Sequence, residues 1–418
     1  MLFKTDASST PLFIGCILSF LFVLSPVKAQ EKKVLRKQDF SAEIKNYKRS
    51  SLLLFMVEVP ETEHLNSIKN TFVAQKIPQK FNDHTLGGDP FIIVETDLKD
   101  HSQIIAERLK EMGIARQLVA KWFNRNNKGT FNLDLVQERG LYNASDFDLQ
   151  IAKQTLRGSA MLEDAGEHLI GNTFIIVNDY KYTNKAEVAE TVKIASKIGN
   201  LLKGKSGESA LTNTMADTFG KGYFIKTTSY LFRLKWDQEI SNTFFGSLWV
   251  DNNNHDKKRV EAFNETEVFE LEYVGQQDAL ADVFSTKYTK KTEEELIARA
   301  TIKASNSALS KLERKFEVFR TKTPLVSIEP IAAMIGTKEG IKKGDRFEVL
   351  EQLLLENGTI EYKSVTEILV DKNNIWDNSY LPDEVPESDL EHTIFKGNSK
   401  KLYPGMLIRF KKNQNLFK

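Results

Sequence analysis

The sequence is all but without thiol, has no excess charge of either sign and pairs none of its histidines. Each absence closes off a class of function. The one cysteine, Cys16, lies inside an N-terminal apolar stretch, so a chain cut beyond it has no disulfide, no thiolate nucleophile and no cysteine-ligated zinc. Formal net charge over 418 residues is +1, and Lys4, Asp6 and Lys28 near the N-terminus account for it, leaving the rest neutral. A neutral chain gives no support to nucleic acid or anionic lipid as a general partner. The histidines, His64, His84, His101, His168, His255 and His392, never fall in H-x-x-x-H or H-E-x-x-H spacing, so the helical zinc-ligand patterns are missing.

What is present reads as a globular protein, 41% hydrophobic and 28% charged, long enough for two or three domains at roughly 100 to 200 residues each. Lys4 precedes an apolar run from Leu12 to Leu24, and Ser25-Pro26-Val27-Lys28-Ala29-Gln30 follows. That is the layout of a secretory signal peptide cut after Ala29. The run is shorter than the roughly 20 residues a spanning helix needs. A lipoprotein reading of Phe13-Ile14-Gly15-Cys16 would leave Ile17 to Leu24 on the mature chain, which disfavours it. The expected location is exported, either periplasmic or associated with an outer membrane.

Four segments are assigned: a signal peptide over 1–29, an N-terminal strand with irregular cover over 30–90, an α/β core over 91–322 and a β-rich domain over 323–418. Residues 31 to 50 are charged and loosely helical, Leu52 to Val59 reads as a first strand, and 61 to 90 as irregular cover punctuated by Pro78, Gly87-Gly88 and Pro90. Phe91 to Glu95 is a short strand. Ser102 to Asn126 is a helix with Ile105, Leu109, Met112, Leu118, Val119, Trp122 and Phe123 near one face. Gly129 to Gln137 alternates as a strand, and Ser145 caps another helix. Ser159 to Tyr182 joins a helix end at Gly166 to Thr173–Val177, a run apolar on both faces that suits the middle of a sheet. Residues 184 to 203 form an amphipathic helix ending in a Gly/Ser-rich linker, 204 to 222. Strands are expected over Tyr223–Trp236, Ile240–Val250 and Val268–Val274, and a long helix from Thr292 to Phe319 opens on a Thr292/Glu295 capping box. After Thr321-Lys322-Thr323-Pro324 the pattern turns to β, over 326–328, 332–335, 346–355, 360–370 and 407–410. The fold class is therefore α+β: a layered α/β core with a mixed sheet, and a small C-terminal β-barrel or sandwich.

Chemistry-bearing motifs are few. Gly199 to Ser206 (GNLLKGKS) fits the phosphate-loop pattern, but it closes a helix instead of linking a buried strand to a helix start, so a helix end is the better reading. Asp251 to Asp256 offers calcium-type oxygens, yet Asp256 and Ala262 stand where such a loop has its Gly and Glu, which makes it a solvated loop. His168, at the head of the central strand, is the one histidine placed to serve a secreted hydrolase. No catalytic, cofactor-binding or metal residue is nominated. The apolar stripe Val188, Val192, Ile198 and Leu202 of the 184–203 helix is the candidate contact surface, with the loop 251–258 beside it.

The middle of the chain resembles the curli-secretion lipoprotein family and the middle domain of the flagellar T-ring protein. The likeness is carried by Leu118–Phe123, Phe131–Glu138 (FNLDLVQE), Leu162–Asp179 (LEDAGEHLIGNTFIIVND) and Tyr230–Ile240 (YLFRLKWDQEI). The glycine-punctuated Ile335–Gln352 (IGTKEGIKKGDRFEVLEQ) is similar to the terminal β domain of the T-ring protein. The resemblance implies an envelope-assembly or ring-forming role without enzymatic chemistry. Residues 184–203 lack the strict alternation of spanning strands, so no pore is expected. The expected function is a non-enzymatic exported envelope scaffold that contacts other envelope proteins or further copies of itself, binds no cofactor and meets a membrane at most peripherally. A secreted hydrolase of unknown substrate and a surface adhesin are the alternatives.

Overall fold

The computed structural model describes residues 33–34, 50–60, 62–78, 80–94, 100–143, 169–184, 222–253, 255–284, 292–354, 360–378 and 390–411. In chain order the elements are β1 (Lys33–Val34), β2 (Ser51–Glu58), α1 (Leu65–Ala74), β3 (Asn82–Asp83), β4 (Phe91–Ile93), α2 (Ser102–Glu111), α3 (Ile114–Trp122), α4 (Asp134–Asn143), β5 (Thr173–Asn184) and β6 (Gly222–Leu234). They continue as α5 (Gln238–Thr243), a π-helical turn (Phe244–Leu248), α6 (Lys257–Glu265), β7 (Leu271–Phe284) and α7 (Glu293–Lys315). The last are β8 (Thr323–Ile328), β9 (Ile331–Ala333), β10 (Arg346–Leu354), β11 (Ile360–Val370), β12 (Thr393–Lys396) and β13 (Leu407–Lys411).

Two sheets organise the chain. The first is mixed and runs β3-β2-β5-β6-β7, with β4 also on β2. β2 pairs in parallel with β3, β4 and β5, whereas β5–β6 and β6–β7 are antiparallel. The run Thr173–Val177 lies between β2 and β6 at the centre, as its two apolar faces require. Leu53, Phe55, Val57, Ile175, Val177 and Phe232 pack with Ile105, Leu109, Leu118 and Trp122 of α2 and α3. On the opposite face Met56, Tyr180 and Ile225 pack with Ile297, Ala300 and Ala304 of α7. This is a helix–sheet–helix sandwich.

The second sheet is wholly antiparallel and closes on itself: β10 pairs with β11 and β13, β13 with β8, β8 with β9, β9 with β12, and β12 with β11. Of the two C-terminal architectures expected, the structure takes the barrel. Closure removes most of the edge that could mate with a neighbour, although β11 meets β12 only through Leu369 and Val370. Leu325, Ile331, Val349, Ile368 and Ile408 fill its core.

α7 is the spine between the two sheets. Thr292 accepts from Glu295 N and Glu295 from Thr292 N, the expected capping box, worth about 1 kcal/mol. Ala300, Ala304 and Ala308 are fully buried, and residues this small let the helix settle close to β6 and β7. Hydroxyl contacts line the seam: Tyr180 Oη meets Ser305 Oγ at 2.6 Å and Tyr182 Oη meets Thr301 Oγ1.

Several expectations are corrected. The cover over 61–90 contains a helix, α1, whose buried Ile68 and Phe72 face the sheet. It starts at His64 in the left-handed region without a side-chain cap, so no start signal marks it. The helix over Ser102–Asn126 is two helices, broken at Gly113 (φ +63°). The strand over Gly129–Gln137 is a turn and the start of α4, because Asn132 Oδ1 accepts from Asp134 N and redirects the chain. That removes the strand from the resemblance at FNLDLVQE. The strand over Ile240–Val250 is α5 and the π-turn, started by Asp237, whose side chain accepts from Ile240 N. β7 begins three residues after Val268 and runs ten past Val274. Lys257 and Lys258, placed at the end of the polar loop, instead open α6, capped by Asp256. Residues 33–34 are a strand on β10, not helix, and β12 was not foreseen. β5 extends to Asn184, the first residue of the expected 184–203 helix. The segment 1–29, the rest of that helix with Val188, Val192, Ile198 and Leu202, the phosphate-loop pattern, the Ser145 helix and His168 lie outside the described residues.

Candidate functional site

Two buried ionisable centres sit on the α2–α3 face of the mixed sheet. The first is at the starts of the parallel strands. Arg139 of α4 donates from Nη1 to Ser51 Oγ at 3.0 Å and to His84 Nδ1 at 2.7 Å, and from Nη2 to Asp83 O at 3.0 Å. Its guanidinium lies over Trp122, 4.3 Å from the ring centroid. Trp122 in turn donates to Thr173 Oγ1 at 2.8 Å. His84 Nε2 is 3.2 Å from Leu118 O. A carbonyl can only accept, so Nε2 carries the proton and Nδ1 offers its lone pair to Arg139. Burial, reinforced by the charge of Arg139, holds His84 neutral, well below the usual imidazole range. Burial also brings Arg139 down to about 10, against the opposing pull of Glu138 and Asp83, so it stays charged at neutral pH.

The second centre lies about 20 Å along β5 at the rise of a strand. His101 precedes α2, and its Nδ1 is 3.2 Å from Asp179 Oδ2, with both side chains buried. The backbone N–H of His101 donates to Tyr230 Oη at 3.1 Å. Burial pushes that hydroxyl up to about 12, so it remains protonated. Both centres tie a helix to a strand, and both are sealed from solvent, which suits anchoring and not turnover.

The carboxylates of the loop 251–258 serve immediate neighbours in the chain. Asp251 Oδ1 accepts from Asn253 N and Asp256 from Lys258 N. Among the described residues no group of three or more acidic, histidine or cysteine side chains could hold a metal ion. His255 is exposed, with Nε2 3.2 Å from Lys128 O.

Apolar side chains also face solvent. Among the described strands β7 is one edge of the mixed sheet, and Leu280 (69% exposed) and Tyr273 (42%) project from it. Part of the edge is blunted: Lys311 donates to Asp278 O at 3.0 Å and Lys315 to Gln276 O at 2.9 Å, the placement of lysine that discourages indiscriminate strand pairing. The end of α7 is clamped to the barrel. Arg314 grips both oxygens of Asp345, at 3.1 and 2.5 Å, and lies 4.4 Å from the Phe410 ring centroid. Arg409 of β13 holds Glu348 at 2.7 Å and reaches Glu317 at 3.5 Å. On the sheet side Lys80 pairs with Glu313 at 2.5 Å. Paired, forked contacts of this kind fix orientation as well as adding energy. None of these pairings has a local sequence signal, since the partners lie tens to hundreds of residues apart.

No family model matches the chain, and no curated protein is significantly similar to it.

Proposed function

We propose that this chain is an exported cell-envelope protein that acts as a structural or assembly scaffold through protein contacts, without enzymatic chemistry of its own. The observation that carries the reading is the rigid mounting of an exposed edge. β7, with Leu280 and Tyr273 outward, rides on a sheet that α7 and the turn after it fasten to a closed barrel through Arg314–Asp345 and Glu317–Arg409. A surface held this stiffly presents one fixed geometry to a partner and loses little conformational entropy on binding. Partners in this reading are other envelope proteins or further copies of the chain. The sequence-derived contact stripe Val188, Val192, Ile198 and Leu202 belongs to the same proposal.

The test is fractionation of the native envelope followed by mass determination of the gently extracted protein. Recovery in a large symmetric assembly, or with a stable envelope partner, is the expected result. A free monomer in periplasm or medium would overturn the reading. In a recovered assembly Leu280→Glu should lower the yield of complex while leaving far-ultraviolet circular dichroism unchanged.

A further inference from the structure

The near-zero net charge of the chain hides a local excess. Arg116, in the first turn of α3, and Arg125, in the loop that leaves it, converge on one residue, Asn264 near the end of α6. Arg116 donates from Nη1 to the Asn264 carbonyl, and Arg125 donates from Nη2 to Asn264 Oδ1 at 2.9 Å. Among the described residues neither guanidinium has a carboxylate within ion-pair distance, although the chain pairs many of its other surface cations. A helix C-terminus carries about half a negative charge, so two full positive charges there are not balanced by the dipole of α6.

The pair is also held in place. Arg125 N donates to Ala120 O at 2.8 Å, and its guanidinium lies 4.7 Å from the Phe263 ring centroid, which fixes its plane. Arg125 Nε is buried and meets no acceptor. Each guanidinium rests against a glycine: a Cβ on Gly113 would sit 3.2 Å from Arg116 Nη2, and one on Gly129 would sit 3.2 Å from Arg125 Nη2. Both glycines have positive φ, at +63° and +84°, so backbone demand and clearance coincide. Of the five N–H donors in each fork, one on each side is spent on Asn264. Burial and the neighbouring Arg116 both lower the Arg125 pKa, the direction expected of a cation that lacks a counter-charge.

We propose that Arg116 and Arg125 form a binding site for a tetrahedral oxyanion, a phosphate or sulfate group, which accepts from both guanidiniums and supplies the missing negative charge. Arginine forks match phosphate oxygens in geometry and charge. A free phosphate ion and the phosphate of a lipid headgroup share this chemistry. The site goes beyond the scaffold reading and does not depend on it.

The experiment uses the full chain and three probes: inorganic phosphate, vesicles of phosphatidylglycerol and vesicles of phosphatidylcholine. Phenylglyoxal modification, read peptide by peptide by mass spectrometry, reports protection of each arginine. Protection of both Arg116 and Arg125 by inorganic phosphate is the expected result, with affinity weakened about tenfold in Arg116→Gln, since a charge-assisted hydrogen bond is worth roughly 1.5–3 kcal/mol. Protection by phosphatidylglycerol vesicles but not by phosphate also supports the site and names the lipid as its source. Arg116 is half-buried and belongs to none of the apolar core clusters, so the variant should fold, and its circular dichroism checks this. The protection measured on the unmodified chain stands without any variant. No protection by any probe overturns the proposal, as does vesicle protection equally strong in Arg116→Gln, or phosphate binding unchanged in Arg116→Gln.

Discussion

His84 and His101 are both fully buried on the same face of the same sheet, yet their neighbours have opposite charge. His84 faces the guanidinium of Arg139, and both its ring nitrogens are committed, one to a carbonyl and one to a cation. His101 faces the carboxylate of Asp179, while its backbone is capped by a tyrosine hydroxyl. The same residue type is a neutral connector at the strand starts and the neighbour of an anion at the far end. What a buried histidine does is set by what surrounds it, and neither position resembles a catalytic base with access to substrate.

The comparison can be broken in graded steps. Arg139→Ala should cost the most, about 3 kcal/mol, because it strips the donors from His84, Ser51 and Asp83 O and leaves buried polar atoms unpaired. Chemical denaturation measures it, and a loss below about 1 kcal/mol would show that water replaces the guanidinium. Asp179→Ala should cost about 2 kcal/mol by removing the partner of a buried ring while leaving the His84 end untouched. Hydrogen exchange should then rise in the first turn of α2 and not in α4.

The two ends should also differ with pH. His84 is held neutral when folded and titrates near its ordinary value of about 6.5 when unfolded. The unfolded chain therefore binds the extra proton, and stability contributed at this site is complete above about pH 6.5 and falls as pH drops below it, by up to about 1.4 kcal/mol per unit. His84→Gln, which keeps a donor and an acceptor, should flatten that slope. A melting curve as acid-sensitive as that of the unmodified chain would count against the assignment. The smallest effect is expected from Tyr230→Phe, about 1 kcal/mol, since it removes only the acceptor of the His101 N–H.

The parts of the fold that were legible in the sequence are those whose signals are local. Thr292 and Glu295 stand three apart and announce α7. Thr173–Val177 is apolar on both faces and becomes the central strand. The glycines and asparagines between 335 and 410 punctuate barrel strands. The failures have physical causes of the same kind. α1 starts at a left-handed histidine, so nothing marks its beginning. Phe244 and Phe245 look like strand residues, but they pack, mostly edge-on, within a cluster including Phe123, Phe131, Trp236 and Trp249, which a π-turn accommodates. β12 is four residues long and depends on β9 and β11 to exist. The buried centres were not legible at all. Arg139 and His84 are 55 residues apart and Asp179 and His101 are 78 apart, and no spacing rule joins them. The Arg116–Arg125 pair is closer in sequence, but what marks it is the lack of an acid among the described residues, and that is visible only once the neighbours are assembled.

One small pairing sets an order of events. Lys33 and Val34 bind Leu354 and Leu353 of β10, so a segment made early on the ribosome finds its partner only after nearly the whole chain has been synthesised. Until then those two residues have no strand to join, and the mixed sheet must form without them. A chain truncated before β10 would keep β2 through β7 in sequence yet release residues 33 and 34 to proteases. Susceptibility at that point thus reports, from the front of the molecule, whether its last domain has closed.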